Sequence, residues 1–154
     1  MKQQKKAENS RHKMEKKKEL KIELTTPERV LLDSTITFAT IPSGAGPVGV
    51  LPNHAPLLGN LFRGVLMIRD ISGKEFNVFV RRGSFMIAHA GIKIVTPAAE
   101  IDEQIDIDRA TAAKDRANKV LASKDAAMDM ERAKEALMRA ETRIKIGQAA
   151  RKTR

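Results

Sequence analysis

An α+β fold, an antiparallel β-sandwich followed by an antiparallel hairpin of two helices, is predicted by three features of the 154-residue sequence. Between about residues 20 and 100, apolar side chains recur with a period of two in short runs punctuated by Gly and Pro. After Pro97 there is no further proline, and the apolar period changes to three and four. No stretch between residues 20 and 100 reads as a helix of useful length, which argues against a doubly wound sheet, whose parallel strands need crossovers of about a dozen residues.

Leu20, Ile22 and Leu24 alternate with Lys21, Glu23 and Thr25 until Pro27 stops the run, the pattern of a half-buried strand. Ile36 and Phe38 alternate with Thr35, Thr37 and Ala39, and Val65, Met67 and Arg69 with Leu66, Ile68 and Asp70. Ile71-Ser72-Gly73-Lys74 reads as a hairpin turn into Phe76, Val78 and Val80. Gly83 leads to a strand with Phe85, Ile87 and His89, and Gly91 turns before Ile92 and Ile94. Phe38, Phe76 and Phe85 all fall at positions patterned for the core. The result is a sandwich or flattened barrel.

On the first helix Ala110, Ala113, Ala117, Val120 and Leu121 follow three-and-four spacing, and Asp106 and Asp108 stand near its start, where negative charge suits the helix dipole. Ala122-Ser123-Lys124-Asp125 supplies a break, with Ser123 or Asp125 as cap of the next helix. There Ala126, Met130, Ala133, Leu137, Ala140 and Ile144 form a narrow heptad seam that Gly147 is expected to end. The seam is mostly alanine. Only Val120, Leu121, Met130, Leu137 and Ile144 are large enough to contribute the roughly 1.5 to 3 kcal/mol of a fully buried side chain, so the hairpin is expected to be weakly held.

The formal charge of +10 lies at the ends. Residues 1–21 hold nine basic and three acidic residues and 139–154 six and one, whereas 22–138 hold fourteen and fifteen. Residues 1–19 read as a basic, disordered extension without the apolar core of a secretory signal, and 148–154 as a short basic tail. No apolar run approaches the roughly 18 residues of a membrane-spanning helix. The absence of cysteine removes disulfides and thiolate metal sites.

Gly44-Ala45-Gly46-Pro47-Val48-Gly49 matches the dinucleotide fingerprint in form only, because Val50-Leu51-Pro52 follows where a helix must open. His12, His54 and His89 lack ligand spacing, and nothing draws Ser, His and Asp into a triad, so neither a metal nor a catalytic site is expected. With no Trp or Tyr, stacking platforms for single-stranded nucleic acid are missing. The arginines are more informative. Arg109 and Arg116 share a face of the first helix, and Arg132, Arg139 and Arg143 share a flank of the second. They make either a solvated face or a site for phosphate or an acidic partner.

Three segments resemble the epsilon subunit of bacterial-type F1Fo rotary ATP synthases: Gly49-Val50-Leu51-Pro52-Asn53-His54-Ala55-Pro56-Leu57-Leu58, Ala99-Glu100, and Ile105-Asp106-Ile107-Asp108-Arg109-Ala110. They occur in the family's order and cover about residues 20 to 146. The resemblance implies a ten-stranded sandwich (20–101) that docks on the gamma subunit and the c-ring, and a helical hairpin (102–147) that regulates. In that family the subunit belongs to the rotor, has no catalysis of its own and requires no cofactor. Its hairpin extends toward the alpha and beta subunits to restrain ATP hydrolysis, with ATP as a regulatory ligand in some members. The complex moves protons or sodium ions, and this resemblance places the chain on the cytoplasmic face of the bacterial plasma membrane, peripherally and through the complex.

Carried over by motif, the ATP-contacting positions are Glu100, Ile105, Asp106, Arg109, Ala110, Arg116, Arg139 and Arg143, and the loop facing the c-ring comprises Ser43, Gly44, Ala45, Gly46 and Pro47, with His54. The family usually carries acidic residues in that loop, and Ala45-Gly46-Pro47 carries none. Asn53 replaces a glycine, and Arg81-Arg82-Gly83-Ser84 replaces a glycine pair. A second reading, a small basic adaptor that contacts nucleic acid or anionic membrane through its tails, predicts binding that collapses with salt.

Overall fold

The computed structural model describes residues 19–123 and 129–152. The chain divides into two units, Met1–Phe76 with Val80–Ala99, and Asn77–Phe79 with Glu100–Arg154. The basic extension 1–19, apart from Glu19, lies outside the described residues.

Nine strands occur among the described residues, against the ten the resemblance implies: β1 (Leu20–Thr25), β2 (Val30–Ser43), β3 (Gly46–Val50), β4 (Leu57–Leu61), β5 (Gly64–Asp70), β6 (Glu75–Val80), β7 (Gly83–Ala88), β8 (Gly91–Val95) and β9 (Ala99–Ile101). Their order is β1-β8-β7-β4-β2-β5-β6-β9, with β3 on β2. Because β1 also pairs β2, the path through β2, β4, β7, β8 and β1 closes on itself, giving the flattened barrel. One pairing departs from the antiparallel expectation: Ile22 to Thr25 run parallel to Ile92 to Val95. The intervening chain is long enough to allow it, since a parallel pair needs only a long return path.

The period of two buries what it should in the first unit, where Ile22, Leu24, Ile36, Leu66, Ile68, Ile92 and Ile94 are inaccessible or nearly so. Phe38 and Phe76 are exceptions, both only half-buried. A bulge between Ile36 and Phe38 shifts the alternation, so Ala39 turns inward and Phe38 stays half-buried, with the Arg69 guanidinium 5.5 Å from its ring centroid. His89, expected in a strand, lies in the exposed turn between β7 and β8. The turn at Ile71 to Lys74 forms as predicted, with Gly73 at φ 86. Asp70 organises it by accepting from the Ser72 amide at 2.8 Å, the Ser72 hydroxyl at 2.6 Å and the Lys74 amide at 3.0 Å. The Ser72 hydroxyl bond, with help from the turn amides, holds its carboxyl below the usual carboxylate range.

In the second unit a 3₁₀ turn (Asp102–Gln104) precedes α1 (Ile107–Ser123) and α2 (Met130–Lys152). Asp129, not Ser123 or Asp125, caps α2: its carboxylate accepts from the Arg132 amide at 2.9 Å, and its carbonyl from that of Ala133. Ser123 belongs to the last turn of α1, where its hydroxyl donates to Val120 O at 2.8 Å. Asp125 and Ala126 lie outside the described residues.

Gly147 does not end the second helix, and residues 148–152 of the expected basic tail are helical. It stands seven residues after Ala140, as Ala140 does after Ala133, so it is the next position of the seam. A Cβ there would lie 3.1 Å from Ile107 Cγ1 and 3.3 Å from Ile105 Cγ2, so the missing side chain is what allows close approach. Ala110, Ala117, Ala133 and Ala140 are buried, whereas Val120, Leu121, Met130, Leu137 and Ile144 are all only half-buried. Ile146 is buried in their place.

Two opposing effects make Gly147 testable. Gly147→Ala gains about 1 kcal/mol of helix propensity against a tight but yielding contact, so near-neutral stability is expected. Gly147→Leu overfills the site and should cost about 1 to 3 kcal/mol in thermal or urea unfolding followed at 222 nm. Equal stabilisation by both substitutions would show that Ile105 and Ile107 do not press on this position.

Candidate functional site in the helical unit

The Ile105-Asp106-Ile107-Asp108-Arg109-Ala110 segment is a helix start. The Asp106 carboxylate accepts from the Arg109 amide at 2.9 Å, satisfying one of the donors left open in a first turn, and its carbonyl accepts the first bond of the helix from the Ala110 amide at 3.0 Å. Ile105, Ile107 and Ala110 are 6%, 8% and 5% exposed and serve packing, while the Arg109 side chain is exposed. Four of the six motif residues therefore build the helix entry, and Arg109 presents a guanidinium beside it.

Glu100 and Arg143, placed together by the resemblance, meet directly: Arg143 donates to Glu100 Oε1 from Nε at 2.9 Å and from Nη2 at 2.6 Å. The same guanidinium lies 4.2 Å from the centroid of the Phe79 ring. The ion pair is partly exposed, at 23% and 38%, so together with the ring contact it contributes on the order of 1 to 2 kcal/mol. Phe79 has no place in the period-two pattern, because Val78, Phe79 and Val80 are all buried in succession. An uninterrupted apolar run was the available signal, and it is the mark of a strand covered on both faces.

Asp102 is a second residue that sequence patterning does not single out. It is 6% exposed, and its carboxylate accepts from the amides of Asn77 and Glu103, both at 2.8 Å. These bonds tie the 3₁₀ turn to the centre of β6 and orient the chain that carries Glu100 and Asp106.

The arginines follow helical geometry. Lys114 and Glu141 form a 3.2 Å ion pair on one flank of the hairpin. Turning about 100° per residue places Arg109 and Arg116 on the opposite flank of α1. Arg116 and Arg132 line one groove of about 410 Å³ whose floor is Ala113, Ala117, Ala133 and Ala136. Arg139 reaches Glu135 at 3.4 Å within its own helix. Arg143 is thus engaged by Glu100, while Arg116 and Arg132, with Asp129, line the groove over the alanines. Among the described residues, no cluster of His, Asp and Glu is arranged to hold a metal ion.

In the first unit, Ser43 to Pro47 form the tight β2–β3 hairpin, with the Ser43 hydroxyl donating to Gly46 O at 2.5 Å. His54 is not beside this loop. Val50, at the far end of β3, pairs with Ala39, and His54 lies beyond it in a cavity of about 380 Å³ with Leu20, Thr35, His89 and Gly91. Asn53 adopts φ 67, the left-handed conformation that explains a glycine as its usual alternative, because Asn tolerates it better than most residues.

Two family models match consecutive parts of the chain: the ATP synthase delta/epsilon chain β-sandwich domain over residues 19–102 and its long α-helix domain over 103–148. The ATP synthase epsilon chain of Desulforamulus reducens is 38% identical over 83% of this chain and 96% of its own length. That of Nitratidesulfovibrio vulgaris is 37% identical over 84% and 96%. A chain in the cryo-EM structure of the Euglena gracilis mitochondrial ATP synthase superposes with a TM-score of 0.63 at 21% identity, covering 88% of this chain and 81% of that one. Consecutive matches to both domains, at this identity and coverage, show that the chain belongs to the ATP synthase delta/epsilon chain family.

Proposed function

We propose that the chain is a non-catalytic rotor subunit of a proton- or sodium-translocating ATP synthase, joining gamma to the c-ring and restraining ATP hydrolysis through its helical hairpin. The observation that carries this reading is a family match to both domains, combined with a hairpin closed by small residues. Four of the buried seam residues are alanine, and the five large side chains along the helices are only half-buried. Each large residue thus contributes only part of the roughly 1.5 to 3 kcal/mol that full burial would give. A seam of this strength can be exchanged for contacts with alpha and beta subunits when the hairpin extends.

ATP fits the reading as a regulatory ligand. Arg109, Arg116, Arg139 and Arg143 would meet phosphates, and Asp106 with the adjacent backbone would face the base or ribose. Glu100 has a further effect. It neutralises Arg143 in the ligand-free chain, so a phosphate must compete with it. Ligand at a hundred times its dissociation constant favours the binding-competent form by roughly 2.7 kcal/mol, enough to rival the seam. The chain would associate with the membrane peripherally, through the complex. Among the described residues, no helix is long and apolar enough to cross a bilayer.

Two experiments test these roles. Deleting residues 105–154 should raise the ATPase rate of the assembled complex while the remainder still copurifies with gamma. An unchanged rate rejects the brake, and loss of gamma from the intact chain rejects the subunit assignment. Arg109→Ala combined with Arg139→Ala should abolish the calorimetric heat of ATP binding to the isolated chain. Absence of heat with the unsubstituted chain removes ATP as its ligand.

A further inference from the structure

A closed circuit of contacts runs through the base of the helical unit. Arg143 donates twice to Glu100 Oε1, and its guanidinium lies over the Phe79 ring. Two residues before Phe79 on β6, the Asn77 amide donates to Asp102 Oδ2, and Asp102 stands two residues after Glu100 in the chain. The circuit therefore passes from Glu100 to Arg143, through the Phe79 ring to β6, back along that strand to Asn77, and through Asp102 to Glu100 again. All of these residues belong to the same unit.

The chemistry at position 102 is specific. Asp102 is buried, and its two oxygens are divided between the amides of Asn77 and Glu103. A buried carboxylate is tolerated when charge-assisted bonds replace its water. It presents two acceptors and no donor, whereas Asn would turn an NH₂ group toward one of the amides and Ser would offer a single oxygen. Because β9 ends at Ile101, the Asp102 side chain extends the hold on β6 to where the backbone leaves to form the 3₁₀ turn. Two residues of extended chain reach at most about 7 Å, so a fixed Asp102 leaves Glu100 little freedom. One Glu100 oxygen accepts from both Nε and Nη2 of Arg143, a geometry that depends on that placement.

We propose that Asp102 is a positioning residue that sets the strength of the Glu100–Arg143 pair, and thereby how firmly α2 is held at its base. Among the described residues no hydrogen bond or ion pair joins Asp102 to Arg143. The effect passes through the chain to Glu100 on one side and along β6 to Phe79 on the other. A purely local support would be felt by the 3₁₀ turn and by nothing beyond it. A closed circuit has a different signature, because the contribution of Asp102 then depends on the presence of Arg143. The inference concerns the chain on its own, and it stands or falls apart from nucleotide binding and from the rotor assignment.

The test uses the full chain, hydrogen exchange read by NMR, and thermal unfolding. Asp102→Asn should speed exchange of the Asn77 amide and of the Arg143 Nε proton at least about tenfold each, with the amides of Ala117 and Ala140 in the seam unchanged. Unchanged protection of the Arg143 Nε proton in the folded variant overturns the inference. A uniform rise across the helical unit does so too, since it marks general loosening and not an effect directed at the ion pair. Melting gives a second decision: Asp102→Asn should lower the midpoint by several degrees in the otherwise unsubstituted chain and by less than half as much alongside Arg143→Gln. Equal losses in the two backgrounds overturn the coupling. Should Asp102→Asn fail to fold, Asp102→Ser, which keeps one acceptor, is carried through the same measurements and judged by the same outcomes.

Discussion

The absence of bulk between two helices is the constraint on which the helical unit depends. Ala133, Ala140 and Gly147 fall at seven-residue intervals on α2, facing Ala110, Ala117 and Ile107 on α1. Small side chains let the backbones approach, and Gly147 lets Ile105 and Ile107 come nearer than a methyl group would allow comfortably. The same choice limits the apolar area removed from water, so the hairpin is well defined in register yet modest in stability. Register and strength are separate properties, and this sequence specifies the first without the second.

Polar contacts complete the unit at its base. Asp102 holds the amide of Asn77, and Glu100 with Phe79 holds Arg143. Being partly exposed, the ion pair costs little to break. A partly solvated guanidinium–carboxylate pair over an aromatic ring is geometrically specific yet modest in energy.

The first unit works by opposite means. Its interior is Ile, Leu and Val at alternating positions, closed by pairing β1 to both β2 and β8, so little of it can move without loss of a large buried surface. That stiffness turns loop residues into fixed instruments: Arg81 is held through its own backbone, and Asn53 and Gly73 accept left-handed conformations that the turns require.

Much of this was legible from the residues alone. The change of period after Pro97 separates strands from helices, because alternation and three-and-four spacing are direct projections of strand and helix geometry. The start of α1 at Asp106 and the shared flanks of the arginines follow from local spacing as well. Other features depend on partners distant in the chain. The bulge that turns Phe38 outward is set by β5, the parallel pairing of β1 with β8 by closure of the barrel, and the burial of Phe79 by packing on both faces. Gly147 looked like a terminator because glycine usually stops helices; only its contact with Ile105 and Ile107, some forty residues earlier, makes it a packing position. Periodicity reports which face a residue occupies, whereas what lies against that face is decided when remote segments meet.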